Sequence, residues 1–344
     1  MNRSVLKLFY AAILLLTITS AVVIAQVNVQ GNIETGLYKS AGDILTDKND
    51  LMFALEGKFG YKYEMENTEL VADLKLRPEF YTLKNELSTL TFRANGDFQR
   101  REENFDWGLN IKRQYNKISG RDFDLNYDIF SLQGNTVFYW IENIPIAFLL
   151  GYAYQTIDPG TDQNHDIIYF EGKANSFWGS YFRIGYGIYI EKFTIEGEVT
   201  DNFIRAKEKI TGYRVGPEIE LYYLKDFVIN GQYRLLQHIS DRTEYPSFEH
   251  SVRLVAGKLI ESGFSIFLLV DYCLRDIKRK EVDEQISILY SPFNLENQIS
   301  LKIGYDLSDT IELYIKGSYF RNDLVYKDYL FEGGNLLFGI ELLN

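Results

Sequence analysis

The chain has 344 residues, with 48 acidic side chains against 36 Lys and Arg, and a formal net charge of −12. This acidic balance excludes the basic surface with which proteins displace counterions from phosphates, so no nucleic-acid partner is expected. A mean hydropathy of −0.18 excludes a helical membrane protein, which needs several apolar runs of roughly 18 residues or more.

Residues 1–25 have the features of an export signal. Arg3 and Lys7 supply the positive start, an apolar segment follows, and Ala25 ends a cleavage motif before Gln26. An uncleaved membrane anchor is the alternative, since the apolar stretch continues almost unbroken. Cleavage is favoured because an amphipathic chain follows directly. Loss of Arg3 and Lys7 gives a mature charge of 34 minus 48, or −14.

After the leader, apolar and polar residues alternate. In the segment Val27-Asn28-Val29-Gln30, the two valines share one parity and the two amides share the other. Successive side chains of a strand point to opposite faces, so such a segment has one apolar and one polar face. The pattern recurs to the end of the chain and predicts about eighteen candidate strands, including one near 282–291. Most reach the roughly 9 to 11 residues that a tilted strand needs to cross hydrocarbon.

The connections between the candidate strands are of two kinds. Longer, acidic loops are predicted over 40–49, 158–166 and 322–334. Short turns on one side and long loops on the other are typical of an outer-membrane barrel. The predicted short turns are Glu66-Asn67, Glu191-Lys192, Lys225-Asp226, Glu261-Ser262 and Ser308-Asp309.

The strand count contains one inconsistency. Glu66-Asn67 and Lys225-Asp226 should lie at the same end, but eighteen strands place them at opposite ends. We expect a miscount within residues 120–180, where the segment 122–141 changes phase, as a bulge or hidden turn at Gly134-Asn135 would cause. The estimate is therefore sixteen strands, within the limits of 14 to 18. Asn95-Gly96 and Asn230-Gly231 resemble hairpin turns, but the alternation runs through both, so they are assigned to strands.

A closed barrel is favoured over a β-sandwich, a solenoid or a lectin-like secreted fold. The chain has no linker or fixed-period repeat, and its polar faces carry ionic side chains of both signs, which a dry core does not tolerate. Aromatic residues also crowd the predicted strand ends, where rings suit a membrane–water boundary. The clusters are Phe138-Tyr139-Trp140, Phe177-Trp178, and Tyr222-Tyr223 with Phe227.

The chain over residues 26–344 resembles the Gram-negative outer-membrane β-barrel proteins as a porin-like class. Its last segment alternates Leu336, Phe338, Ile340 and Leu342, as a final lipid-facing strand does. Members commonly end in an aromatic residue, whereas this chain ends in Asn344. The resemblance implies an all-β fold, a single antiparallel transmembrane barrel of about sixteen strands over 26–344 after a cleaved signal peptide over 1–25, and a place in the cell outer membrane.

Motifs for catalysis and metal binding are sparse. No zinc motif, P-loop, Gly-x-Ser-x-Gly or Cys-x-x-Cys pattern is present. The sequence thus predicts no enzyme, cofactor or metal, with a hydrolase using His165-Asp166 as the weakest alternative. The segment Asp122 to Asn126 matches the start of a calcium loop, but Tyr127 stands where that loop needs Gly, so a weak calcium site stays an alternative. Cys273 cannot form an internal disulfide, and we interpret it as an inert residue of the lumen wall rather than a reactive thiol.

Charged residues of the polar parity are the candidate lumen lining. If Asp122 to Asp128 point inward, they form an acidic ladder that attracts cations. For any one charge, the alternative is a cross-strand ion pair that only satisfies the wall. The acidic and amide candidates are Asp122, Asp124, Asn126, Asp128, Glu196, Glu198, Glu218 and Glu220. The basic candidates are Lys58, Lys62, Lys75, Arg77, Arg183, Arg214, Arg234, Lys302 and Lys316.

The sequence therefore predicts a passive pore for small hydrophilic solutes or ions, with a charged lumen and a cation bias. A barrel of about sixteen strands leaves room for water, whereas about eight strands are filled by side chains. Outer-membrane lipid is the expected environment. The main alternative is a non-conducting barrel that serves as a scaffold, adhesin or assembly partner for another protein.

Overall fold

The fold is a single closed β-sheet. Each strand pairs with its neighbours in sequence, and β1 pairs with β16. The structure is a computed structural model that describes residues 25–42, 48–81, 88–119, 124–141, 144–158, 163–201, 204–241, 243, 245–260, 262–275, 297–323 and 330–342. Within these ranges sixteen antiparallel strands form the barrel, which confirms the predicted fold class. No helix of these ranges is long and apolar enough to cross a membrane. The strands are β1 Ala25–Gly42, β2 Lys48–Met65, β3 Thr68–Tyr81, β4 Ser88–Arg101, β5 Phe105–Ser119, β6 Asp124–Phe138, β7 Ile146–Asp158, β8 Gln163–Trp178, β9 Phe182–Asp201, β10 Ile204–Leu224, β11 Val228–Ser240, β12 Ser247–Ile260, β13 Phe264–Arg275, β14 Gln298–Ser308, β15 Ile311–Asp323 and β16 Leu330–Leu342.

The barrel closes through the antiparallel pairing of β1 with β16, and apolar residues of these strands share one face. Ile33 of β1 stands opposite Leu55 of β2 on one side and Ile340 of β16 on the other. All three are 40–49% exposed on the outer surface. A slip of one residue would turn each of these side chains to the opposite face, so the alternation fixes the register.

The error in the predicted strand count lies at Glu191-Lys192 and not within residues 120–180, where it was expected. The predicted turn there is wrong, because β9 continues through both residues and pairs with β8 and β10 on either side. Neither residue has the Gly, Pro, Asn or Asp chemistry that favours a tight turn. With one strand fewer, Glu66-Asn67 and Lys225-Asp226 lie at the same end of the barrel. The predicted strand near 282–291 lies outside the described residues.

Strand β6 has no bulge or turn at Gly134-Asn135. Its pairing with β5 runs without a shift from Phe138 to Asp124, and its pairing with β7 is equally regular. The strand is regular throughout, so the phase change in the sequence means that the apolar residues switch from one face of β6 to the other along its length. The Asn95-Gly96 and Asn230-Gly231 pairs lie inside β4 and β11, as predicted.

The aromatic clusters gather at the end of the barrel that carries the short turns. Trp140 and Trp178 are 69% and 68% exposed beside the β6–β7 and β8–β9 connections, and Phe227 lies exposed in the β10–β11 turn. An aromatic rim of this kind is typical of a membrane–water boundary. The short-turn end is thus one edge of the apolar outer band.

Candidate functional site

The candidate site is the face of the wall on which charged side chains from non-adjacent strands meet. Arg77 on β3 binds Glu34 on β1, and Lys173 on β8 lies 3.1 Å from Glu220 on β10. Such contacts pass over an intervening strand, which side chains can do on the concave side of a curved sheet. This is therefore the inner face of the barrel.

The first ion cluster comprises Glu34, Glu56, Lys58, Lys75 and Arg77 on β1 to β3. Lys75 Nζ lies 2.6 Å from Glu56 Oε2, and Lys58 Nζ lies 3.1 Å from Glu56 Oε1. Arg77 donates to Glu56 at 3.1 Å and also binds Glu34. Both carboxylates are buried, so they depend on these cations for compensation.

This cluster continues across the closure of the barrel. The Tyr314 hydroxyl on β15 donates to Glu34 Oε1 at 2.6 Å, and Lys316 Nζ lies 3.9 Å from the same oxygen. Lys302 Nζ on β14 lies 2.5 Å from Glu312 and 2.8 Å from Glu341 on β16. The strands on both sides of the β1–β16 junction are thus joined by charged contacts as well as by backbone pairing.

The second ion cluster, on β8 to β12, is the more deeply buried. Arg214 bridges Glu191 at 3.1 Å and Glu249 at 2.7 Å, and the side chains of all three are at most 3% exposed. His238 Nδ1 lies 2.7 Å from Glu249 Oε1. Each buried charge here has an opposite charge within hydrogen-bond distance, as burial of ions requires.

Arg234 extends the second ion cluster to further charged residues of β8 and β10. It donates to Glu171 and Glu218 at 2.5 Å each, and its guanidinium carbon lies 4.0 Å from the centroid of the Tyr189 ring. Lys173 Nζ lies 2.5 Å from Glu171 and 3.4 Å from Glu218. The second ion cluster is therefore Glu171, Lys173, Glu191, Arg214, Glu218, Arg234 and Glu249.

An apolar cluster lies beside the second ion cluster on the same inner face. The Phe193 ring lies directly over Gly212 of β10, where an added Cβ would be 2.1 Å from the ring. Only glycine leaves room for the ring there. These side chains pack together along β7 to β11, and their inward position was not predicted from the sequence. The buried members are Ala153, Ile167, Tyr169, Tyr189, Phe193, Ile195, Ile210 and Leu236.

All nine predicted basic residues form ion pairs with acidic residues of the polar parity. Lys62 Nζ lies 2.6 Å from Glu64 and 3.2 Å from Glu69, and Arg183 lies 3.8 Å from Glu220. That any one of them lines an aqueous path stays a prediction. Ion pairs of this kind hold Lys58, Lys62, Lys75, Arg77, Arg183, Arg214, Arg234, Lys302, Lys316, Glu218 and Glu220.

Three predicted residues lie on the outer face instead. Asn126 and Asp128 share a parity with exposed Phe130 and Leu132, while the alternate parity of β6 holds buried Ile129. Asp128 binds Arg113, which is 60% exposed. The expected ladder required these side chains to point inward, and the unshifted register of β6 places them on the outer face instead. Asp122 lies outside the described residues, as does the side chain of Asp124.

Glu196 is the third of these residues. It pairs with Lys209 at 2.7 Å, and both side chains are more than half exposed. The alternate residues of β9, Phe193 and Ile195, belong to the apolar cluster on the inner face. Glu198 has the parity of Glu196, and its side chain lies outside the described residues.

Charge removal at Glu196 is expected to leave ion selectivity unchanged. Glu196→Gln removes an exposed outer charge whose pairing is worth ~0–1 kcal/mol. The reversal potential of the reconstituted protein under a salt gradient measures this, with Glu218→Gln as the inner-face comparison. A shift for Glu196→Gln as large as that for Glu218→Gln would contradict the outer placement.

Several members of both ion clusters are not among the residues predicted from the sequence. Glu34, Glu56, Glu191 and Glu249 are all at most 8% exposed and bind the predicted cations. Each of these glutamates lies on the polar side of the alternation in its strand. Their parity was a usable signal, but their pairing across strands depends on the register.

The residues considered for catalysis or metal binding do not form a common site. His165 and Asp166 are neighbours in β8, so their side chains point to opposite faces: His165 is buried, and Asp166 accepts a bond from Tyr152 at 2.6 Å. Cys273 is a free, half-buried cysteine. No group of three or more His, Cys, Asp or Glu in the described ranges is placed to hold a metal ion.

Two cavities open on the inner wall. The first has a volume of about 540 Å³ and is bounded by β1 to β5, with Lys58, Lys75 and Arg93 in its lining. The second has a volume of about 450 Å³ and is bounded by β10 to β15, with Arg253 and Asp271 in its lining. Both have charged walls, as a wet interior permits.

Comparison with known proteins gives structural similarity only. No family model and no curated protein matches the chain. The chain is similar to the TodX monoaromatic hydrocarbon channel deltaS2 mutant, at 10% identity over 95% of this chain and 91% of that one, with a TM-score of 0.39. It is also similar to OccK2 from Pseudomonas aeruginosa, at 9% identity over 92% and 98%, with a TM-score of 0.39. A third is the alcaligin outer membrane receptor FauA from Bordetella pertussis, at 6% identity over 94% and 77%, with a TM-score of 0.44.

The antiparallel barrel fold that the resemblance implied is confirmed. Its basis is the closed barrel of sixteen strands in the described ranges, with apolar side chains outside and ion clusters inside.

Proposed function

We propose that the protein is a passive outer-membrane pore for small hydrophilic solutes. The observation that carries the proposal is the closed barrel of sixteen strands, counted in the described ranges. At this strand number the circumference exceeds what inward side chains can fill, and larger barrels enclose aqueous channels. Export through a leader cleaved near Ala25, a barrel over 26–344 and contact of the apolar outer face with lipid belong to the same proposal.

The inner wall supports passage of polar solutes. Its two cavities, of about 540 and 450 Å³, are lined with charged and amide side chains. Ionic groups in contact with water lose little solvation, whereas in a dry interior each must be fully paired. A solute with its own hydration shell therefore meets a compatible surface.

The expected cation bias loses its main support. It rested on the acidic loops and on the row from Asp122 to Asp128, and Asn126 and Asp128 of that row lie on the outer face. The inner ion clusters contain both signs in close pairs. We therefore propose a charged lumen in which the ion clusters of the inner wall set the preference between cations and anions. The reversal potential under a salt gradient would show which ions pass more readily.

Reconstitution in a planar bilayer tests the pore directly. We expect stepwise increases in current when folded protein is added, because each inserted barrel opens one aqueous path. The same sample unfolded by heat, in matched detergent, is the control. A folded sample that inserts but gives no conductance steps would contradict the proposal.

A second candidate is a non-conducting barrel that serves as a scaffold, adhesin or assembly partner. The apolar cluster around Phe193 favours it, since these side chains fill part of the interior along β7 to β11. A pull-down that yields one stoichiometric protein partner, together with absent conductance, would support this candidate. We propose no hydrolase, since His165 and Asp166 lie on opposite faces of β8.

A further inference from the structure

Two apolar side chains face the lumen of the barrel on β12 and β13. Val255 is directly opposite Leu269 in the register, and Val255 has the parity of buried Glu249 on β12, which places the pair on the inner face. Each of the two side chains is 38% exposed. The apolar cluster along β7 to β11 differs, because its members are almost fully buried against one another. The lumen apolar pair, Val255 and Leu269, therefore presents apolar surface to the interior of the barrel.

An ion pair lies beside the lumen apolar pair, at the next inward-facing position of the same two strands. Arg253 is directly opposite Asp271, with Arg253 Nε 3.6 Å from Asp271 Oδ1. Their side chains are 35% and 26% exposed. Both residues have further contacts in the wall, but a guanidinium has five N–H groups and a carboxylate has about four acceptor positions. Each member of this lumen ion pair can therefore bind a solute group in addition to its present partners.

Both pairs line the second cavity, which has a volume of about 450 Å³. This volume is within the ~300–1,000 Å³ of small-molecule sites. In the register, Gln232 and Gln298 flank the lumen ion pair, and Asn230 and Ser300 flank the lumen apolar pair. The cavity thus combines an apolar wall, one charge of each sign, and amides that both donate and accept hydrogen bonds.

The two other charged residues of this lining, Glu220 and Lys316, are bound to residues outside it. Glu220 lies 3.1 Å from Lys173 and 3.8 Å from Arg183. Lys316 lies 3.9 Å from Glu34. The charged contacts of a solute are therefore assigned to the lumen ion pair, whose two members face each other inside the cavity.

We propose that the second cavity binds an α-amino acid with an apolar side chain. Its carboxylate accepts charge-assisted bonds from Arg253, and its ammonium group donates to Asp271. Its side chain covers Val255 and Leu269, and removal of their apolar surface from water favours binding. Both ionic groups of an α-amino acid are bonded to one carbon, so their partners must be close neighbours, as directly opposed residues with Cβ atoms about 4.5–5.5 Å apart are. The inference deepens the proposed pore and rests on its water-accessible lumen, because it names a solute class for that lumen.

Equilibrium binding to the folded, detergent-solubilised full chain tests the site without conduction. L-Leucine is titrated by calorimetry beside three analogues that each lack one of its groups. The ammonium group is absent from 4-methylpentanoate, the carboxylate from 3-methylbutylamine, and the apolar side chain from glycine. We expect saturable binding of L-leucine and binding of each analogue that is weaker by about tenfold or more, because each analogue loses one of the three contacts.

Arg253→Gln is expected to weaken L-leucine binding about tenfold or more, because it removes the charged donor for the carboxylate. The same variant should leave the weaker binding of 3-methylbutylamine unchanged. Lys62→Gln is the matched control, since Lys62 is a cation of the inner parity, is 41% exposed and lies on β2 outside the second cavity. If Arg253→Gln does not fold, Leu269→Ser replaces it and is expected to weaken the binding of L-leucine but not that of glycine.

The outcomes separate the amino-acid site from the pore. Absent saturable binding of L-leucine, equally tight binding of any of the three analogues, or equal weakening by Lys62→Gln overturns the site whether or not the barrel conducts. Tighter binding of D-glucose than of L-leucine would assign the cavity to neutral polyols and overturn the site as well. Conversely, L-leucine binding that depends on Arg253 in a protein without conductance steps would keep the site and reject the pore.

Discussion

Replacing Ile303 by Arg is expected to lower the stability of the membrane-inserted barrel by about 2–4 kcal/mol, the cost of a cationic side chain at the bilayer midplane. Ile303 lies midway along β14, is 45% exposed, and is flanked on the outer face by Ile266 and Ile315. Urea unfolding in lipid vesicles, followed by the mobility difference between folded and unfolded bands on a gel, measures the change.

Leu307→Arg is the control at the end of the same strand, at the register shift between Asp306 and Ser308. Leu307 is 56% exposed and lies next to the Asp309-Thr310 turn, four residues from Ile303. Near the interface an Arg costs only ~0–1 kcal/mol. Equal costs at the two positions would mean that the apolar outer band does not contact lipid.

Replacing Arg214 by Ala is expected to destabilise the barrel by about 3–5 kcal/mol, because a buried ion network then loses its cation. Two carboxylates, Glu191 and Glu249, would remain buried without the guanidinium that bridges them at 3.1 and 2.7 Å. The midpoint of urea unfolding in detergent measures the loss.

Lys209→Ala is the control for this prediction. Lys209 also pairs with a glutamate, Glu196, at 2.7 Å, but its side chain is 64% exposed. Exposed pairs contribute ~0–1 kcal/mol, so the control should unfold near the wild-type midpoint. A small effect of Arg214→Ala, similar to that of the control, would show that the second ion cluster is hydrated in the folded protein.

The sequence could predict the strands because each has one apolar parity. Val27 and Ile33 on β1, like Ile303 on β14, alternate with polar residues and lie exposed on the outer face. The prediction failed at Glu191-Lys192, where a turn was expected and the strand continues. Burial of Glu191 against Arg214 explains why this acidic residue occurs there without a turn. That partner is distant in sequence, so local pattern could not reveal it.

What the sequence by itself determined is the two-faced character of the strands, and with it the all-β barrel and its approximate strand number. Only the tertiary structure decided which face is inside where the prediction failed, along β6 and around Glu196 of β9. Glu218 and Glu196 both alternate with apolar neighbours, yet Glu218 is buried against Arg234 while Glu196 lies on the outer surface. A period of two defines opposite faces but not their direction. Direction depends on what fills the barrel at that level, and along β9 ions give way to the apolar cluster around Phe193.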